Sequence, residues 1–532
     1  MVNLLRLPLA KTNFEKIISK QLVYVDKTDL VAKIAAASYP HFFSRPRRFG
    51  KSLLISTFES LFKNGVKYFK GLKLEKLWND KPGYKVLKLN FSDITPNDTS
   101  DLDKILHTKL RNFCKANNID VDIDDNEKTF FLFDNIIEKC SDEIVLLVDE
   151  YDTILAHSLD NKEQFNSYQK YFQSFYGILK NHVDDFRFIF ITGVSRFSHT
   201  SIFSKINNLK DITLLQEYAT LLGYTEEELH FYFDEYIEYA GQQLSKSKEE
   251  VYQELKLHYD GYLMSEKSDE KVYNPWSILN FLSEPANGFS DYWYESGGSY
   301  PMIIVNYLKN NYFDDITQID KIPFERKDLT ESYEFFTIPP TVLLYQAGYL
   351  TIYKEKNKYD FTTYFVPPNL EVRSALSRLY LNKVRIRTPS KFAMEQIYSL
   401  PGAFAAEDIE TIVKIFNIIL NGFGYDIREL LQKEGVYRDI LLLALCMSGI
   451  DAKKETQTII GRSDLIAEDI KRRYVFEFKL ADKDNEALKL KEAVTQIKNG
   501  NYGEILPLKK LLKFAIVVNK NIMQITNYKQ IS

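Results

Sequence analysis

Apolar residues recur in this chain at two spacings, and the switches between them mark its elements. Residues 144–148, Ile-Val-Leu-Leu-Val, are apolar without a break and stop at Asp149-Glu150. A run of that length predicts a strand buried on both faces. Phe42-Phe43 end a second apolar segment, a polar loop follows, and from Leu53 to Phe62 apolar positions return at helical spacing. Residues 86–91 alternate, 186–193 form another apolar run, and 211–215 add a short one. Between them, residues 101–115, 128–139 and 164–181 carry helical patterns. Strands alternating with helices predict an α/β fold, with a parallel sheet covered on both faces.

Beyond residue 225 the pattern changes. Thr225 and Glu228 make a T-x-x-E capping box that opens a helix to about residue 239. The polar stretch 241–250 reads as the exit from a first domain, 1–245. Residues 340–353 read as a helix, a Gly turn and a strand, 354–358 as a charged turn, and 359–366 as the returning strand. That order suggests a winged-helix module within a middle region, 246–380. In the last part, 381–532, a helix leads into the apolar run 440–447. A strand from 461, a charged turn at 471–473 and a strand over 474–480 follow, and then a helix.

Composition narrows the class. A chain of 532 residues exceeds one ordinary core, so two to four domains are expected. Three cysteines, Cys114, Cys140 and Cys446, share no Cys-x-x-Cys spacing, which argues against a zinc site or disulfide framework. Residues 1–11 lack a signal-peptide core, and 440–447 is too short to span a bilayer, so a cytoplasmic protein without membrane partners is expected. The net charge of −4 does not advertise nucleic acid. Residues 430–532, however, hold 14 Lys and 4 Arg against 13 acidic residues, a +5 tail on a −9 body. That surplus permits phosphate contacts, and random surface variation would give the same figure.

The loop between Phe43 and Leu53 carries candidate chemistry. Arg45, Pro46, Arg47, Arg48, Phe49, Gly50, Lys51 and Ser52 lie between a strand and a helix, the layout of a phosphate-binding loop. Backbone N–H groups at a helix N-terminus favour an anion. Lys51 would reach the β- and γ-phosphates of ATP, and Ser52 would ligate Mg²⁺. Arg45 replaces the usual first Gly, where a side chain limits how tightly the loop wraps. Asp149 would hold the magnesium and Glu150 polarise the attacking water. Thr192 ends the next strand, where a γ-phosphate can be sensed. Arg196 fits either an arginine finger or a solvated loop position.

A second acidic group lies near the C-terminus. Glu477 and Lys479 project from one strand face because side chains alternate, and a hairpin brings Asp464 beside them. Asp464 and Glu477 offer hard oxygen ligands for Mg²⁺ or Mn²⁺, and Lys479 can orient water. Glu434 could add a carboxylate, and Gln496 and Tyr502 could pack nearby. A cross-strand salt bridge on an exposed hairpin would show the same residues.

Together these blocks resemble bacterial AAA-ATPase-like proteins that carry a C-terminal PD-(D/E)XK nuclease-superfamily domain. The resemblance spans nearly the whole chain. It rests on Tyr24-Val25-Asp26-Lys27-Thr28, the 45–52 loop, Val148-Asp149-Glu150-Tyr151-Asp152 and Ile191-Thr192-Gly193-Val194-Ser195-Arg196. It continues through Tyr259-Asp260-Gly261-Tyr262, Tyr273-Asn274-Pro275-Trp276-Ser277, 344–350, Gly461-Arg462-Ser463-Asp464-Leu465 and Phe476-Glu477-Phe478-Lys479-Leu480. Signal-transducing ATPases have Gly-Pro-Arg-Arg-Thr-Gly-Lys-Thr at the loop, so the resemblance implies that Arg45 is a family feature. It also implies a P-loop NTPase sheet and a restriction-endonuclease-like C-terminal domain, with Asp464, Glu477, Lys479 and Gln496 on its motif positions. ATP-controlled nucleic-acid cleavage, DNA favoured over RNA, is one expectation, in defence or mobile-element biology. Homo-oligomers formed on nucleotide binding, with an unknown protein trigger, belong to it. An ATP-switched nucleic-acid-binding or scaffold protein with a silent nuclease fold is the other.

Overall fold

The computed structural model of the chain describes residues 5–124, 127–196, 202–203, 206, 208–296, 321–331, 333, 335–356, 361–383, 391–422, 434–454, 464–499 and 509–531. It divides into two compact units, 1–311 with 323–368, and 312–322 with 369–532.

In the first unit, β1 (His41–Ser44), β2 (Lys85–Asn90), β3 (Ile144–Asp149), β4 (Phe186–Gly193) and β5 (Lys210–Asp211) form a sheet in the order β2-β3-β4-β1-β5. Every pairing is parallel. The uninterrupted apolar run of β3 is buried along its length, as a strand covered on both faces must be. The helix Lys51–Asn64 lays Leu54, Ile55, Phe58, Leu61 and Phe62 on the sheet, with Phe58 4.8 Å from Phe190 and Phe62 4.9 Å from Phe188 between ring centroids. Each such Phe contributes about 1.5–3 kcal/mol through burial. The register sets Ser44 beside Gly193 and Asn90 beside Asp149, which brings the loop and the acidic strand to one C-terminal edge.

The expected strand 211–215 is confined to β5, because Ile212 turns inward after Asp211 and Asp211 caps the Thr213 amide at 2.8 Å. The stretch 241–250 is mostly helical. The helix Glu226–Leu244 runs into it, and Ser247 and Glu250 form a second capping box that starts the helix Lys248–Tyr259. After the two-residue strand β6 (Ile322–Pro323), the helix Pro340–Ala347 ends at Gly348, and β7 (Thr351–Lys356) pairs antiparallel with β8 (Phe361–Val366). The expected turn residues 354–356 therefore belong to a strand, and 357–360 lie outside the described residues. Gly348 has φ +89°, and a Cβ there would stand 2.6 Å from Pro46 Cβ, so the helix cap lies directly against the phosphate-binding-type loop.

In the second unit, β9 (Asp451–Lys453), β10 (Leu465–Glu468), β11 (Arg472–Ala481), β12 (Lys510–Asn519) and β13 (Gln524–Ile531) form a mixed sheet in the order β13-β12-β11-β10-β9. Only β11 and β12 run parallel. Alternation gives the sheet two apolar faces. Phe476, Phe478, Phe514 and Ile516 share a core with residues of the helices Ile409–Gly422 and Glu434–Met447. Val475 and Ala515 meet Ala493 and Ile497 of the helix Glu486–Asn499. Asp469 accepts from the Lys471 and Arg472 amides, which moves the expected 471–473 turn to 469–471 and lengthens β11. Among the described residues, no helix is long and apolar enough to cross a membrane.

Candidate functional site

The loop 45–50 turns sharply because Arg48 has φ +67° and Gly50 has φ +103° as the cap of the following helix. Lys51 is 4% exposed, and its Nζ donates to the Arg45 and Pro46 carbonyls at 3.0 and 3.1 Å. Burial pulls its pKa below the ordinary lysine value, against the attraction of Glu150, Asp149 and Asp152. Asp149 is 1% exposed, and its Oδ1 has no hydrogen-bond partner. Burial raises its pKa, and a hydrogen bond from Ser52 opposes that rise. A buried carboxylate oxygen without a partner, beside a hydroxyl at a helix N-terminus, fits a magnesium ion. Glu150, in the left-handed region at φ +53°, joins Arg47, Arg48, Lys51, Ser52 and Trp276 around a cavity of about 220 Å³.

Arg45 does not crowd this cavity. Its side chain turns inward over the Phe43 ring, 4.3 Å from the centroid. It donates to the carbonyls of Ser44, Thr213 and Tyr218 at 2.9, 2.7 and 3.0 Å. Burial lowers its pKa to about 10. The side chain expected to limit loop wrapping instead braces the loop from behind. Pro46 abuts Gly348, and Phe49 packs edge-on against Tyr262 at 4.8 Å. Arg48 lies 4.1 Å over the Trp276 ring and donates from Nε to the Ser296 hydroxyl at 3.2 Å.

Thr192 and Arg196 stand apart from the cavity. The Thr192 hydroxyl donates to the Phe43 carbonyl at 2.7 Å. Arg196 pairs with Asp211 at 2.6 Å and donates to the Leu329 carbonyl, while its amide donates to Gln346 at 2.8 Å. At 11% side-chain exposure it is not a solvated loop arginine, and it lines a second cavity with Arg45 and Pro46. Asp152 and Tyr151 organise that segment instead, and pattern reasoning gave them no role. Asp152 accepts from the Ser195 amide at 2.8 Å and hydroxyl at 2.6 Å, and Tyr151 donates to the Ser195 carbonyl at 3.1 Å. Gly193 makes room for both, since a Cβ there would lie 2.6 Å from the Tyr151 ring.

The Asp149 environment carries a stability prediction. Its folded pKa lies above the ordinary 3.8, so the folded chain takes up a proton that the unfolded chain releases. That gain is fully present below 3.8 and is lost as pH rises through the folded value. At neutral pH the buried charge therefore costs stability, and Asp149→Asn should raise Tm without ligand by on the order of 2 °C. Thermal melts should show the gap closing toward pH 4. A lower Tm for the variant at pH 7 would contradict this.

In the second unit Asp464 immediately precedes β10, and its Oδ2 accepts from the Phe478 amide at 2.8 Å. The β10–β11 register, Leu465 opposite Phe476, sets Asp464 opposite Glu477 when extended by one residue. Glu477 is fully buried, and its Oε1 accepts from Lys479 Nζ at 3.0 Å. Arg438, which the motif reading passed over, has Nη1 3.7 Å from Asp464 Oδ1. Two hard carboxylates with a lysine alongside fit Mg²⁺ or Mn²⁺ as a donor set. Gln496 is half-buried on the helix Glu486–Asn499, which packs on β11 and β12. Glu434 opens the helix Glu434–Met447, but its side chain, residues 461–463 and Tyr502 lie outside the described residues. Among the described residues, no three His, Cys, Asp or Glu side chains gather as a metal site.

Comparison with known proteins follows the same division. Residues 8–203 match the family model described as "Predicted AAA-ATPase", and residues 432–528 match that of the PD-(D/E)XK nuclease superfamily. A protein of Azotobacter chroococcum mcd 1, described as "Uncharacterized protein in vnfD 5'region", is 28% identical over 507 residues, covering 94% of this chain and 93% of that protein. No solved structure matches.

Proposed function

We propose that this chain, which carries an AAA-ATPase-like domain and a PD-(D/E)XK nuclease-superfamily domain, hydrolyses ATP and thereby controls metal-dependent cleavage of nucleic acid. The observation that carries the reading is the unpartnered, buried Asp149 Oδ1 beside Ser52 and Lys51 at the mouth of the loop. Lys51 exchanges its two loop carbonyls for β- and γ-phosphate oxygens. Ser52 and Asp149 hold Mg²⁺, which offsets charge on the phosphates when bound. Glu150 lines the same cavity and accepts the proton of the attacking water.

In the second domain Asp464 and Glu477 hold Mg²⁺ or Mn²⁺, and Lys479 orients water toward the scissile phosphate. DNA is the favoured substrate, in defence or mobile-element biology, with assembly of several copies on nucleotide binding. A second reading keeps the nuclease fold as an ATP-switched scaffold. The Arg438 guanidinium 3.7 Å from Asp464, where its charge can stand in for an ion, favours it.

The test incubates the full chain with DNA or RNA, Mg²⁺ or Mn²⁺, and with or without ATP. Cleavage that needs the divalent ion and changes severalfold with ATP is expected. ATP turnover without any cleavage would select the scaffold reading. Cleavage indifferent to nucleotide would remove the control.

A further inference from the structure

Asp464 of the second domain already faces a guanidinium cation. Arg438 lies one turn after Glu434 on the helix Glu434–Met447. Its guanidinium stands between two acids, with Nε donating to Asp439 Oδ1 at 3.2 Å and Nη1 3.7 Å from Asp464 Oδ1. Asp439 has another partner, Lys454, at 2.7 Å. Asp464 divides its carboxylate, giving Oδ2 to the Phe478 amide and turning Oδ1 toward Arg438. Both side chains are largely sheltered, at 17% and 15% exposure.

The Arg438–Asp464 contact is loose. A bidentate arginine–carboxylate pair makes two parallel bonds of about 2.8 Å, whereas here a single nitrogen stands at 3.7 Å. Arg438 thus balances the charge of Asp464 without closing its coordination. A divalent ion on Asp464 would put like charge beside the guanidinium and drive it outward. A planar fork displaced from carboxylates at such a site matches the geometry of a phosphate diester.

We infer that Arg438 is a positioning residue of this site, balancing Asp464 in the ion-free chain and turning to a phosphate oxygen of the nucleic acid once the ion is bound. The inference rests on the nuclease reading proposed above. Calorimetric Mn²⁺ titration of the full chain, with Arg438→Gln, Arg438→Lys and Asp464→Asn, separates the two. Duplex DNA binding is measured in parallel with Ca²⁺ as a non-cleaving ion.

Arg438→Gln should bind Mn²⁺ severalfold more tightly, because its competitor is gone, and duplex DNA about tenfold more weakly. Arg438→Lys keeps the charge but not the fork, so its Mn²⁺ affinity should match the parent while DNA binding still falls. Mn²⁺ affinity unchanged or weakened in Arg438→Gln would overturn the inference, as would parental DNA binding by Arg438→Lys. If the parent binds Mn²⁺ and Asp464→Asn does not, those results count against Arg438 alone. A parent that takes up no Mn²⁺ overturns the nuclease reading and this inference with it.

Discussion

Glu150→Gln should retain ATP but turn it over at least about 100-fold more slowly, the usual contribution of a positioned general base. The substitution is nearly isosteric and leaves the backbone of residue 150 in its left-handed turn. Lys51, Ser52 and Asp149 are untouched, so affinity should hold while proton acceptance is lost. The side chain makes a weak local contact, 3.4 Å from the Thr153 hydroxyl, so little stability is at stake. Steady-state phosphate release and equilibrium binding of labelled ATP, measured on the same preparation, give both quantities. Parental turnover in the variant would remove Glu150 as the base and leave the water to be activated elsewhere.

Asp464→Asn and Lys479→Ala should each reduce divalent-dependent cleavage by about 10²–10⁴-fold, with ATP turnover preserved. In the first variant the side-chain amide oxygen can still accept from the Phe478 amide, so the strand end should hold while the anionic ligand disappears. Losing Lys479 leaves Glu477 buried without the ammonium that lies 3.0 Å away. That variant should also melt somewhat earlier, by the cost of uncovering a buried charge. Gel assays of cleavage beside thermal melts distinguish lost chemistry from lost folding. Cleavage that survives both substitutions belongs to another site or another protein.

Local signals made much of this legible. The unbroken apolar run of β3 and the Gly-Lys-Ser helix start are dictated by residues within a few positions of each other, and both elements formed where the pattern put them. Glu477 and Lys479 followed from strand alternation alone. What pattern could not reach was contact across long separations. The inward turn of Arg45 depends on carbonyls at Thr213 and Tyr218, 168 and 173 positions away. Arg196 is settled by Asp211, Leu329 and Gln346, none of which its own neighbours announce. The polarity of 241–250 reads as a domain exit, whereas Ser247 and Glu250 there cap the start of a helix. The roles of Asp152 and Gly193 are mutual and show only when β3 and β4 lie side by side.

The pressing of Pro46 against Gly348 has a mechanical corollary. A side chain at residue 348 would overlap the Pro46 ring, so the cap approaches the loop this closely only as glycine. A methyl group added at residue 348 would push the helix cap and the loop apart at the Pro46 ring.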